Sequence, residues 1–249
     1  MKFVVTAGPT REHLDPVRFL SNPSTGKMGF AVARAAAMRG HEVALVAGPV
    51  SLKTPKGVRR IDVTSAREML AAVEKELFAN SRDMVRYSNG RVGDAPLPVG
   101  AALRADRISQ CSMVFIATAA VADWRPAKCA ARKLKKGQMS GILKLVRNPD
   151  ILKTVALRAK RQAPARASAI FVGFAAETND VIAEARRKCR EKNLDMIVAN
   201  DVTEKGSGFG VDTNRVTFVR KDGSVERLPL MTKLAVARRI VRECEDLCP

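Results

Sequence analysis

The sequence predicts a doubly wound α/β fold: a mostly parallel sheet covered by helices on both faces. Two observations predict it. Six short apolar runs, at residues 2–7, 41–48, 58–63, 112–120, 170–177 and 194–201, read as buried strands bounded by turn formers or small polar residues. Helical patterns at 28–39, 65–78, 149–162 and 179–192 stand between or before them. Strands that alternate with helices need crossover connections, and the right-handed rule winds these onto both faces. The expected architecture is Rossmann-like, a single domain over residues 1–249.

Each element has its own warrant. "KFVVTA" (2–7) is apolar and stops at Gly8-Pro9. A long polar loop is expected from there to about residue 27. Residues 28–39 carry Ala and Met throughout, and Gly40 is a natural helix stop. "HEVALVAG" (41–48) and "VRRIDV" (58–63) are the second and third strands. Ser65-x-x-Glu68 matches a capping box, so a helix runs from there to about residue 78. The stretch 79–110, with "SNGRVGDAPLPVG", is rich in turn formers and reads as an insertion. Two parts break the alternation. Residues 128–147 are basic and end in the strand-like "GILKLV", and residues 215–228 look like a hairpin about Asp222-Gly223. The segments 128–147 and 210–230 are therefore expected to form a small β appendage suited to dimer contact.

Composition narrows the function. There are 44 Lys and Arg against 25 Asp and Glu, a net charge of +19 that draws anions such as nucleotides, phosphorylated substrates or nucleic acid. One Trp and one Tyr give little for base stacking, and no nucleic-acid motif is present, so no specific nucleic-acid partner is expected. No apolar run approaches the ~20 residues of a membrane span. The N-terminus lacks the apolar core of a signal peptide, and a cytoplasmic location is expected. The five cysteines have no zinc spacing and read as free thiols. His13 and His41 are the only histidines, which leaves little for a Ser-His-Asp triad or a histidine-rich metal site.

In such a sheet the site lies at the carboxyl ends of the strands. Four segments follow those ends: "GPTREHLDPVRFLSNPSTGKMG", "TAAVADWRPA", "FAAETND" and "NDVTEKGSGFG". The first is not a dinucleotide fingerprint. Its loop is too long, its spacing is S-x-G-x-x-G, and the second strand ends "LVAGPV" with no acid for a ribose. It is not a Walker loop either, because Met28 and Gly29 follow Lys27. Two readings are left: free N–H groups at a helix N-terminus, near Ser24, that seat an anion, or a plain capping loop. "RKLKK" (132–136) is either a solvated basic turn or a set of counter-charges for a triphosphate. Asp123 suits a Mg²⁺ bound partly through water, a ligand hydroxyl or amide, or a turn cap.

Together, "TAGPTRE", "DPVRFLSNPSTGKMG", "TAAVADWRP", "KLKK", "NPDIL", "VGFAAET", "KNLDMIVAND" and "GFGVDTN" resemble phosphopantothenoylcysteine synthetase of the bacterial type. The motifs stand in order over nearly the whole chain except 79–110. The resemblance implies a homodimeric, Mg²⁺-dependent ligase of coenzyme A biosynthesis. The carboxylate of 4′-phosphopantothenate attacks the α-phosphate of a nucleoside triphosphate, typically CTP and otherwise ATP, giving an acyl-nucleotide and pyrophosphate. L-cysteine then takes the acyl group and releases CMP. It further implies that Asn22 holds phosphopantothenate and serves conversion of the acyl-nucleotide, and that Arg18 reaches the substrate in the neighbouring subunit. Ala119, Ala120 and Asp123 match the substrate-contacting stretch. Gly8, Ser24, Gly26 and Gly29 match nucleotide phosphate contacts. Phe174 and Asn200 match positions near base and ribose. Lys133 matches a mobile-loop lysine near the triphosphate, with Asn22 and Arg18 one of three residues carrying the chemistry. Lys188 and Lys192, i and i+4 on one helix, match further nucleotide contacts. Relatives are often fused behind a flavin-dependent decarboxylase. This sequence starts at the synthetase strand, so neither FMN nor decarboxylation is expected.

Overall fold

The structure is a computed structural model that describes residues 1–78, 113–135, 141–162, 169–177, 180–201, 204, 206–208 and 210–248. The expected insertion at 79–110 and Lys136 lie outside the described residues. The elements in chain order are β1 (Lys2–Ala7), β2 (Arg11–His13), β3 (Phe19–Ser21), α1 (Lys27–Met38), β4 (Glu42–Ala47), β5 (Arg59–Asp62) and α2 (Ala66–Phe78). Then come β6 (Met113–Ala117), β7 (Trp124–Pro126), β8 (Leu145–Arg147), α3 (Ile151–Gln162), β9 (Ala169–Glu177), α4 (Val181–Glu191) and β10 (Met196–Asp201). The chain closes with β11 (Thr213–Asn214), β12 (Thr217–Arg220), β13 (Val225–Arg227), β14 (Met231–Thr232) and α5 (Lys233–Asp246).

The main sheet runs β13-β12-β10-β9-β6-β1-β4-β5. From β5 across to β10 every pairing is parallel. Taken alone, these strands follow the doubly wound order 3-2-1-4-5-6. Helices α1 and α5 cover one face, where Phe30, Val32, Ala36, Val236 and Ile240 pack on Phe3 and Val5. Helices α2, α3 and α4 cover the other, where Met69, Val155 and Cys189 join the cluster around Val4 and Phe115. A strand buried on both faces gains nothing from alternation, which is why β1 reads as an unbroken apolar run. The order reverses between β1 and β6, and the crevice at their carboxyl ends is the place for a ligand.

The expected capping box forms with a shifted partner. The Glu68 N–H donates to Ser65 Oγ at 3.3 Å, while the Glu68 carboxylate accepts from Thr64 N–H at 2.8 Å. The expected appendage is corrected in part. The hairpin at Asp222-Gly223 is present, but β12 pairs antiparallel with β10 and extends the main sheet. Its Thr217, Phe218 and Val219 are all buried, which needs cover on both faces. β7 and β8, paired antiparallel, stand off from the main sheet as a ribbon, and so do β11 and β14.

Candidate active site

The polar loop after β1 is an ordered clamp, not a loose connection. β2 and β3 form an antiparallel ribbon within it. Its polar residues Thr10, Glu12 and Asp15 are buried because each serves a distant backbone donor. Thr10 Oγ1 accepts from Ala122 N–H (3.0 Å), Glu12 Oε1 from Ala66 N–H (2.9 Å) and Asp15 Oδ2 from Leu134 N–H (3.2 Å). The segment beyond β6 is zipped to the same loop. Ala120 N–H donates to the Gly8 carbonyl at 2.9 Å and Thr118 Oγ1 to the Thr6 carbonyl at 2.6 Å.

This zip lays residues 118–122 along the switch point, where two cavities share Ala119, Ala120, Phe174 and Ala176. The first, of about 130 Å³, is walled by Ser24, Gly26, Gly29, Asn200, Asn214 and Lys233. The second, of about 650 Å³, is walled by Asn22, Asp123, Trp124, Asn148, Asp150 and Lys192. Among the described residues no His or Cys lines either one.

The first cavity has the chemistry to seat an anion. Helix α1 starts at Gly26, whose φ of 77° is the left-handed region that glycine enters without strain. Ser24 Oγ accepts the Gly26 N–H at 3.3 Å. The N–H groups of Lys27, Met28 and Gly29 then have no acceptor within the helix, and the first turn holds no acid. Such an end favours negative charge. Gly8 lies behind this turn: a Cβ on Gly26 would come within 3.3 Å of its nitrogen. Gly29 is buried against the sheet, where a Cβ would meet Ala7 Cβ at 2.5 Å and Thr118 Oγ1 at 2.4 Å. Its first use is therefore close helix–strand contact, the requirement met by the third glycine of dinucleotide folds.

In the second cavity Asn22 Nδ2 donates to the carbonyls of Val121 (3.1 Å) and Ala120 (3.4 Å). Its Oδ1 is thereby the free, accepting end. Asn148 pins the floor: its Nδ2 donates to the Ala122 carbonyl and its N–H to the Asp123 carbonyl, both at 2.8 Å. Asp123 itself is exposed. Lys192 Nζ meets Asp150 Oδ2 at 2.8 Å across the cavity wall. Lys188, one turn earlier, lines neither cavity.

Arg18 and Lys133 are not brought into these cavities. Arg18 donates through Nε (3.0 Å) and Nη2 (2.5 Å) to Asp15 Oδ2, and through Nη2 to the Leu134 carbonyl (3.0 Å). Leu134 is thus held by both members of the pair, and Lys133 beside it is exposed. The Arg18 guanidinium, helped by N–H donors of Val17, Arg18 and Leu134, holds the Asp15 carboxyl well below the usual carboxylate range, against the opposing effect of burial. A carboxyl depressed in the fold stabilises it above the unfolded value, about pH 4, and that contribution is lost as pH falls through the folded value. Thermal melts from pH 7 to pH 2 are expected to show a steeper acid loss for the wild type than for Asp15→Asn, which is also less stable at pH 7. Parallel curves would exclude this role.

Asn148, Asp150, Asn214 and Lys233 were not singled out from the sequence. "NPDIL" marks a helix start, but nothing local says that its Asn and Asp face a cavity. A lysine opening a helix reads as solvated, and only the fold buries it.

A family model, the C-terminal domain of the DNA/pantothenate metabolism flavoprotein, matches residues 1–86 and 102–247. The chain belongs to this family. Among its relatives, the coenzyme A biosynthesis bifunctional protein CoaBC of Bacillus subtilis (strain 168) is 44% identical over 98% of this chain and 51% of its own length. CoaBC of Escherichia coli (strain K12) is 42% identical over 98% and 51%. The chain thus spans about half the length of the curated relatives it matches. The crystal structure of a CoaBC C-terminal domain superposes with a TM-score of 0.69 at 38% identity, covering 99% of this chain and 94% of that one. A Streptococcus pneumoniae member, at 21% identity and a TM-score of 0.69 over 99% of both chains, shares the fold. The two cavities of this chain share Ala119, Ala120, Phe174 and Ala176 in their walls.

Proposed function

We propose that this chain is a cytoplasmic phosphopantothenate–cysteine ligase of coenzyme A biosynthesis, using CTP in preference to ATP. The observation that carries the reading is the shared floor at Ala119 and Ala120, which joins an anion seat to a larger polar cavity. The CoaBC names of the relatives support it. The nucleotide phosphates take the N–H groups of α1, with Ser24, Gly26, Phe174 and Asn200 around them. The 4′-phosphopantothenate carboxylate oxygen attacks the α-phosphorus, the bond to the β-phosphate oxygen breaks, and pyrophosphate leaves. The L-cysteine amine then bonds to the acyl carbon, CMP leaves, and the amine loses a proton. Holding two anions at one floor and balancing their charge is most of the work, so no nucleophilic His or Cys is required.

Asn22 is oriented to accept from the incoming amine, because its own amide donates to the floor. Lys192, in the wall of the second cavity beside Asp150, adds positive charge near the nucleotide with Lys188 one turn behind, and Lys133 reaches the nucleotide from its exposed position outside both cavities. Asp123 offers an exposed carboxylate of the hard-oxygen type that Mg²⁺ takes beside substrate phosphates, where the ion supplies charge neutralisation. No flavin enters this reaction.

The ribbons support a homodimer. β2 packs on β7, and the exposed apolar side chains Val17, Phe19, Trp124, Ile142 and Leu145 lie on or beside them. Arg18 sits on the same clamp, and its proposed role is to serve a neighbouring subunit. The test mixes the protein with 4′-phosphopantothenate, cysteine, Mg²⁺ and CTP or ATP. Pyrophosphate and phosphopantothenoylcysteine are expected in equal amounts, faster with CTP. No release with either nucleotide defeats the reading.

A further inference from the structure

Two lysines open two neighbouring helices at the first cavity. Lys27 is the first residue of α1 and Lys233 the first of α5, and neither helix has an acid in its first turn. A cation at a helix N-terminus opposes the macrodipole, so each placement calls for an anion. Lys27 finds one outside the cavity, with Nζ 2.8 Å from Asp212 Oδ1 and 2.8 Å from the Gly210 carbonyl. Lys233 does not. It is only 7% exposed, and its Nζ donates to the carbonyls of Val211 (2.6 Å) and Gly208 (3.1 Å). It pairs with no carboxylate among the described residues, and one of its three N–H donors is unspent. Burial pushes its ammonium down from the usual lysine range, Lys27 adds to this and Asp212 opposes it. Two of the first N–H groups of α5 are already taken: Lys233 N–H reaches the Asp212 carbonyl (2.9 Å) and Ala235 N–H reaches Thr232 Oγ1 (3.2 Å). Helix α1 therefore brings free N–H groups to the cavity, and α5 brings a charge.

A second, independent feature lies in the same wall. Asn214 is 4% exposed, and its Oδ1 is buried with no hydrogen-bond partner. Buried acceptors are rarely left so. The cavity thus presents a buried cation and a buried acceptor together. A nucleotide answers both, with phosphate oxygens for the ammonium and ribose hydroxyl donors for Asn214. An inorganic anion answers only the first.

We propose that Lys233 is the buried counter-charge for the polyphosphate of the nucleotide, opposite the N-terminus of α1, and that Asn214 accepts from its ribose. The proposal rests on the nucleotide-dependent reading above. Calorimetric binding of CTP and CMP tests it, with wild type, Lys233→Met and Asn214→Asp compared. Wild type is expected to prefer CTP. In Lys233→Met that preference falls at least about tenfold, while CMP affinity changes less than about threefold. Asn214→Asp, which sets a negative charge in the same wall, shifts the preference in the same direction and carries the test if Lys233→Met does not fold. A preference that falls by less, or CTP and CMP affinities that drop by one common factor, overturns the proposal. If wild type binds neither CTP nor ATP, the nucleotide-dependent reading falls with it. If wild type forms product and the preference survives substitution, only the role of Lys233 falls.

Discussion

Asn22→Asp is expected to release pyrophosphate at nearly the wild-type rate and to form the amide about 10²-fold more slowly. The reason lies in which end of the side chain is tied down. Asn22 Nδ2 donates to the carbonyls of Ala120 and Val121. A carboxylate has no donor and would set an anionic oxygen against two carbonyl oxygens, so the side chain leaves the floor. The phosphate seat is built from a different set of groups, at the start of α1, and is untouched. The first half-reaction survives, and the second loses the acceptor that orients the amine. Quenched-flow measurement of pyrophosphate and amide in a single turnover separates the two. Equal loss in both would place Asn22 in general binding instead.

Gly29→Ala is expected to be strongly damaging. Helix propensity alone would favour alanine by about 1 kcal/mol. The added Cβ, however, would meet Ala7 Cβ at 2.5 Å, Thr118 Oγ1 at 2.4 Å and the Thr6 carbonyl at 3.0 Å. Neither the strand atoms nor the helix can give way locally, and overpacking of this kind costs about 3 kcal/mol. Overpacking wins by about 2 kcal/mol, and the melting temperature should fall by roughly 4–8 °C. Because α1 must back away from β1, its N–H groups leave the phosphates and nucleotide affinity falls as well. A melting temperature at or above that of wild type would show that propensity decides and that the contact is slack.

Much of the scaffold was legible before any coordinates. Apolar runs and helical periods placed the parallel strands and their covering helices, because burial on both faces leaves its mark in each segment by itself. What was not legible is whatever depends on a distant partner. Thr10, Glu12 and Asp15 fall in a stretch that reads as a long polar loop, yet each is buried by an N–H supplied from residue 122, 66 or 134. Asp222-Gly223 announced a hairpin but could not say that β10 would receive it. Of the candidate site, Ser24, Gly26, Asn22, Ala119, Ala120, Asp123, Phe174, Lys192 and Asn200 do line the two cavities. Arg18, Lys133, Lys188 and Gly8 do not line them, and Lys233 escaped notice because its burial is created by the carbonyls of another loop.

The hairpin that joins β10 also decides how the sheet ends. β13 has three residues and carries Glu226 and Arg227; at the opposite margin β5 has four and carries Arg59, Arg60 and Asp62. Short, charged margins make poor templates for another strand. Copies of this chain are thereby discouraged from stacking edge to edge into an endless sheet.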